Sequence, residues 1–169
     1  MTFKAILISV AMLCAVPVMA QQRGTVEFGV FGSIARFDQS LTLDRGVGVG
    51  GHVGVFLGPR TALEFEGGEM RATRTLGLRD VNVGILSARF VVTPIKRGKL
   101  SLFLGAGAGT STETNLLHSY GVNGVVGAKI NFTRSAALRV DGISDWLANN
   151  DWKSYKTLHV GISLFRSPN

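Results

Sequence analysis

Beyond residue 20 the chain contains no cysteine, since Cys14 is the only one. A disulfide-stapled scaffold is therefore excluded. Past the same point no run is long and apolar enough for a spanning helix, which needs about 20 residues. Apolar residues at helical spacing are missing as well, which argues against a helical bundle. Charged residues make up only 17% of the sequence. The whole-chain net charge is +7, or +6 once Lys4 is set aside with the first 20 residues. Along the sequence these cations are scattered rather than clustered, so a nucleic-acid surface is discounted. Catalytic signatures are absent too. There is no GxSxG nucleophile elbow, and three scattered histidines have no metal-ligand spacing.

What is present begins with MTFKAILISVAMLCAVPVMAQQ: Lys4, an apolar stretch from Ala5 to Val18, then small residues before Gln21. This is the pattern of a secretory signal peptide, with cleavage expected after Ala20. The expected organisation is a signal peptide over 1–20 and a single domain over 21–169. Leu13 stands where a lipoprotein signal places a small residue, so Cys14 is not read as a lipidation site.

The rest of the chain alternates with period two. In LSLFLGAGAG (100–109), Leu100, Leu102, Leu104, Ala106 and Ala108 share one face, while the other holds Ser101, Phe103 and three glycines. The same two-faced pattern returns at 25–31, 46–57, 61–67, 120–132, 136–145 and 157–165. Segment 80–92 conflicts with itself, because Val81, Val83 and Ile85 share one phase and Leu86, Ala88 and Phe90 the other. A bulge near Gly84 to Leu86 would reconcile them and turn Arg89 inward. That makes eight strands. Short turns are expected at 58–60, 93–98 and 132–135, with Pro59 and Pro94 as turn residues. Longer polar connections are expected at 36–45, 72–79, 110–119 and 146–155.

Short turns on one side and longer loops on the other are the organisation of a transmembrane β-barrel. The expected fold is all-β: an eight-stranded antiparallel up-and-down transmembrane barrel after the signal peptide. Its apolar face meets lipid, and its small or polar face fills a lumen only wide enough for side chains. Glu27, Glu64, Glu66, Arg89, Lys129, Arg139 and Asp141 fall on the inner phase and carry both signs. Buried charges are costly unless paired, so a lumen network without an open pore is expected. His52 and His159 also fall inward and are read as satisfied interior residues. Aromatics near strand ends suggest two interfacial girdles: Tyr120, Trp146, Trp152 and Tyr155 at the loop ends, Phe90, Phe132 and Phe165 at the turn ends.

FLGAGAG (103–109), then YGVNGVVGAKINF and ALRVDGISDW, is similar in order and spacing to the fifth to seventh strands of the small eight-stranded outer-membrane barrels of OmpA/OmpX type. The resemblance implies a bacterial outer-membrane location and a barrel the length of the mature chain. The expected partners are outer-membrane lipids, lipopolysaccharide and surface molecules met by the loops, with no cofactor, no metal and a monomeric state. No peptidoglycan-binding domain is expected after the barrel. The family often ends on an in-phase aromatic, whereas here Phe165 stands out of phase with Ile162 and Leu164. The favoured function is structural or surface interaction. One alternative is a lipid-modifying enzyme of the deacylase kind, for which His118, Ser119 and Asp145 at one rim are the candidates. The other is a soluble periplasmic ligand-binding barrel.

Overall fold

The computed structural model describes residues 22–38, 43–74, 80–113, 117–148 and 153–168. The expected signal peptide (1–20) and Trp152 lie outside them. Eight strands run in chain order: β1 (Val26–Phe37), β2 (Leu43–Gly58), β3 (Thr61–Arg74), β4 (Val81–Arg97), β5 (Leu100–Glu113), β6 (Leu117–Asn131), β7 (Ala136–Leu147) and β8 (Lys153–Arg166). Each pairs antiparallel with the next, and β1 closes on β8 from Val26↔Arg166 to Phe37↔Tyr155. Closure leaves no sheet edge and satisfies the strand backbones within the barrel, as a wall facing lipid requires.

The period-two pattern decides which face is which. Val30, Val49, Leu86 and Val126 point outward and are 68%, 70%, 63% and 66% exposed. Their neighbours in sequence point inward. No helix among the described residues is long and apolar enough to cross a membrane.

Four expectations need correction. The bulge is not at Gly84–Leu86, because β4 stays in continuous register with β3 from Val81 to Val92. The extra residue lies between Val92 and Ile95, around Pro94, which has no N–H to give to a ladder. The phase conflict dissolves because Val83 is buried and Val81 and Ile85 pack against an apolar cluster inside the lumen. Arg89 points inward in the same uninterrupted phase.

The turn expected at 93–98 is tighter. β4 runs to Arg97, and the reversal is Gly98–Lys99, with Gly98 at φ 53°, a left-handed conformation suited to glycine. The connections at the other end are shorter than expected too. The strands continue into the polar segments, leaving 38–42, 75–80, 114–116 and 148–152 between them. Most polar residues there are paired in the ladders, while β2 slips register against β3 between Leu43 and Gly46, where Asp44 and Arg45 are both exposed.

Finally, two aromatics assigned to the girdles face inward. Tyr155 is 3% exposed and packs on Phe37, ring centroids 5.4 Å apart. Phe165 lies 6.4 Å from the Phe56 ring. Both are odd-numbered residues of β8, whose outward set is Leu158, Val160, Ile162 and Leu164. Nearness to a strand end had suggested the girdle, but phase decides the face. Tyr120, Trp146, Phe90 and Phe132 do lie on the outer surface.

The interior is layered. Towards the loop end, Ala35, Phe37, Leu43, Met70, Ala72, Val83, Leu147 and Tyr155 form an apolar cap. Below it lies a band of charged side chains, beside a second apolar cluster of Val91, Phe103, Val125 and Ile143.

Candidate functional site

The charged band draws on seven of the eight strands. Glu27 comes from β1, His52 from β2, Glu64 and Glu66 from β3, Arg89 from β4, Asn123 and Lys129 from β6, Arg139 and Asp141 from β7, His159 and Ser163 from β8. All are buried. β5 contributes Phe103 and, through its glycines, space. A Cβ at Gly109 would stand 3.2 Å from Asn123 Nδ2, and one at Gly105 would stand 3.0 Å from Val91 Cγ2. On β6 a Cβ at Gly127 would meet Asp141 Cβ and Phe103 Cζ, both at 2.5 Å. The small inner faces that stand out in the sequence thus lie close against neighbouring backbone as well as side chains; at Gly105, Gly107 and Gly109 an added Cβ would first meet the carbonyl oxygens of Phe90, Ala88 and Leu86 on β4.

Arg139 is the hub. Its Nη1 and Nη2 donate to Glu64 at 2.6 and 3.0 Å, and its Nε donates to Asp141 Oδ2 at 2.5 Å. The bidentate fork on Glu64 matches guanidinium to carboxylate geometry, which lysine cannot do. Its Cζ also lies 4.6 Å from the Phe103 ring centre, a cation–π contact in a water-poor setting. Arg89 makes the second fork, donating to Glu66 at 2.9 and 2.7 Å, and its Nε donates to Asn123 Oδ1 at 2.9 Å. Lys129 donates to Glu27 at 2.5 Å, and its ammonium stands 5.1 Å from Phe103.

Two histidines complete the band. His52 Nε2 lies 3.2 Å from Glu27 Oε1 and 3.1 Å from Arg139 Nη1. One ring nitrogen cannot donate to the first and accept from the second. Arg139 Nη1 already has Glu64, so an Nε2–H tautomer donating to Glu27 satisfies both groups. His159 Nδ1 stands 3.3 Å from Asp141 Oδ1 and 3.7 Å from Glu66 Oε2, and its ring stacks on Phe31 with centroids 4.0 Å apart.

All seven charged residues expected inward are therefore buried in one connected group. Asn123, Ser163, Phe103 and Phe31 join them without having been singled out by charge. Their inward phase was the signal that could have found them. Space inside is scarce. The gap bordered by Phe31, Ser33, Glu66, Met70, Ile85 and His159 amounts to about 10 Å³, room for one water at most. No cluster among the described residues is suited to hold a metal ion.

The candidates for hydrolytic chemistry are not assembled. Ser119 and Asp145 both face the lumen and are buried. Asp145 is level with Asn123 on β6, four positions from Ser119 along that strand, or about 13 Å at about 3.3 Å per residue. His118 is adjacent to Ser119 in the β6 ladder, opposite Thr112, and its side chain lies outside the described residues.

A closed barrel of eight antiparallel strands, apolar outside and filled inside, is the fold of the small outer-membrane β-barrels. No protein-family model and no curated protein matches the sequence. Among solved structures the chain is similar to the outer membrane protein OprG of Pseudomonas aeruginosa, with TM-score 0.68 and 11% identity over 90% of this chain and 100% of that one. It is similar to the N-terminal β-barrel domain of OprF from the same organism, with TM-score 0.66 and 17% identity over 86% and 100%. Ail, the attachment invasion locus protein of Yersinia pestis, in complex with the heparin analogue sucrose octasulfate, matches with TM-score 0.52 and 13% identity over 86% and 100%. At these identities the likeness defines the fold.

Proposed function

We propose that this protein is an integral barrel of the bacterial outer membrane, with a closed lumen and a structural or surface-interaction role. The observation that carries the reading is the inversion of chemistry across one wall. Large aliphatic side chains circle the outside while eight Asp, Glu, Lys and Arg residues are buried inside. Such a continuous apolar surface far exceeds what soluble monomers expose, and lipid is the solvent that suits it. The paired band and the apolar cap leave no through-passage, so the barrel anchors rather than conducts.

At the loop end, Arg45, Arg36 and Lys156 lie abreast on β2, β1 and β8, all exposed. The next outward row is Val47, Ile34 and Leu158, part of the apolar surface. Cations side by side across strands repel one another. Phosphate groups of lipopolysaccharide at that depth would relieve the repulsion, and Ail's complex with a polysulfated sugar offers an anion-binding parallel on the same fold.

The test is heat-modifiable gel migration of membrane fractions combined with planar-bilayer recording. The wild type is expected to insert and to give no large, steady conductance, whereas Val122→Arg and Val160→Arg each lose roughly 2–4 kcal/mol near the midplane and insert poorly. A reproducible open channel would overturn the closed lumen, and normal insertion of both arginine variants would overturn the lipid-facing assignment.

A further inference from the structure

Three short reversals (59–60, 98–99 and 132–135), the start of β1 and the end of β8 lie at the end of the barrel opposite the loops. This end carries Arg23, Arg60, Lys96, Arg97, Lys99, Arg134 and Arg166, all exposed or half-buried. No Asp or Glu stands among the described residues there; the nearest, Glu27, is buried in the lumen with Lys129. The loop end is different, since acids such as Asp44, Glu69 and Asp80 stand among its cations and two of those cations are paired. Arg71 donates to Asp80 at 2.9 Å and Arg74 to Glu113 at 2.5 Å. In the lumen, acids slightly outnumber lysines and arginines. The net positive charge of the barrel is therefore concentrated on one rim. Residues scattered in sequence are gathered there by the up-and-down topology.

We propose that this rim is a docking ring for the headgroups of anionic phospholipids in the leaflet at the short-turn end. The inference rests on the membrane reading above and adds a lipid class and a location to it. Depth is the first argument. Leu57, Ile95, Leu100, Phe132 and Leu164 are outward and 50%, 45%, 41%, 51% and 55% exposed, and each precedes or follows a rim cation by one to three residues. At about 3.3 Å per residue, the charges stand within about 10 Å of the edge of the apolar belt, the level of lipid phosphates. A lipid with its chains against that belt brings its phosphate to the rim, which a free phosphate ion has no acyl chain to do.

Rigidity is the second argument. The rim is tied across neighbouring strands by backbone hydrogen bonds: Thr93 N to Arg60 O (2.7 Å), Asn131 N to Lys99 O (2.8 Å), Phe165 N to Ser135 O (2.8 Å) and Phe56 N to Thr25 O (2.9 Å). Like charges held together repel, and among the described residues Arg60, Arg97, Lys99, Arg134 and Arg166 have no carboxylate in an ion pair. Counter-charge from the surroundings relieves this, and an anionic membrane surface supplies it for each cation.

The mature chain has no cysteine, so a single fluorophore can be attached at Thr133→Cys on the rim or Ala148→Cys at the loop end. Labelled barrels are folded into phosphatidylcholine vesicles containing a minority of phosphatidylglycerol, and quenching by chain-spin-labelled lipid of each type is compared. At the rim label, phosphatidylglycerol is expected to be preferred by about fivefold, the effect of one cation near an anionic surface. Raised salt and the combined Arg60→Gln, Arg97→Gln, Lys99→Gln and Arg134→Gln variant should abolish that preference, while the loop-end label responds little to the variant. Equal quenching by the two lipids at the rim, or a preference that survives the fourfold variant, overturns the docking ring while leaving the barrel in the membrane. Absence of quenching by either lipid at both labels overturns the membrane reading itself.

Discussion

The apolar cap and the ionic band occupy the same lumen, share six strands and are both buried, yet they are filled in opposite ways. In the cap, Met70, Phe37, Leu43, Val83, Leu147 and Tyr155 meet through dispersion and need only fit. In the band, Arg139, Arg89, Lys129 and four carboxylates must find partners of opposite sign with good geometry. The difference teaches that an eight-stranded barrel demands a full interior without dictating its chemistry. What the filling does decide is how each layer fails. A gap in the cap is a lost contact, whereas a gap in the band is an orphaned charge.

The largest effect that sharpens this contrast is expected from Arg139→Met. The substitution keeps much of the side-chain volume but leaves Glu64 and Asp141 without their main donor. A loss of about 3–5 kcal/mol is expected, read by urea unfolding of the folded barrel in micelles. If this variant unfolds no more easily than one in the cap, the contrast between the layers fails.

Met70→Ala comes next. Met70 is 3% exposed, and its truncation should cost about 2–5 kcal/mol, the range for a buried large-to-small change. The unfolding midpoint should shift without a change in slope.

The smallest effect is expected from removing a pair whole. Arg89→Met combined with Glu66→Gln takes away one fork and both its charges, while Glu64 keeps Arg139. The double variant should lie within about 1 kcal/mol of the wild type, and Arg89→Met alone should fall well below it. Equal losses in single and double variants would mean that Arg89 acts through its contact with Asn123 rather than through charge.

Strand number, antiparallel order and the lipid-facing set were legible in the sequence because period two is a local property. Leu100, Leu102 and Leu104 declare one face wherever the strand ends up. The inward charges were legible for the same reason, from Glu27 to Asp141. What misled was reading chemistry as direction. Because Val81, Val83 and Ile85 are apolar, their composition alone suggests a lipid-facing phase broken by a bulge; in the structure their phase is inward and the lumen is apolar at that height. Tyr155 and Phe165 erred likewise, since an aromatic near a strand end can fill the lumen as readily as it marks an interface.

By itself, the sequence determined the alternation, and alternation determines a two-faced sheet that must close when one face belongs in lipid. Only the tertiary structure decided the pairings. Glu27 and Lys129 are 102 residues apart, and Arg139 and Glu64 are 75 apart. Nothing local selects one carboxylate over another; register and shear around a closed barrel bring them to one height. The same closure gathers Arg60, Lys99, Arg134 and Arg166, distant along the chain, onto one rim, because an up-and-down topology returns every second connection to the same end.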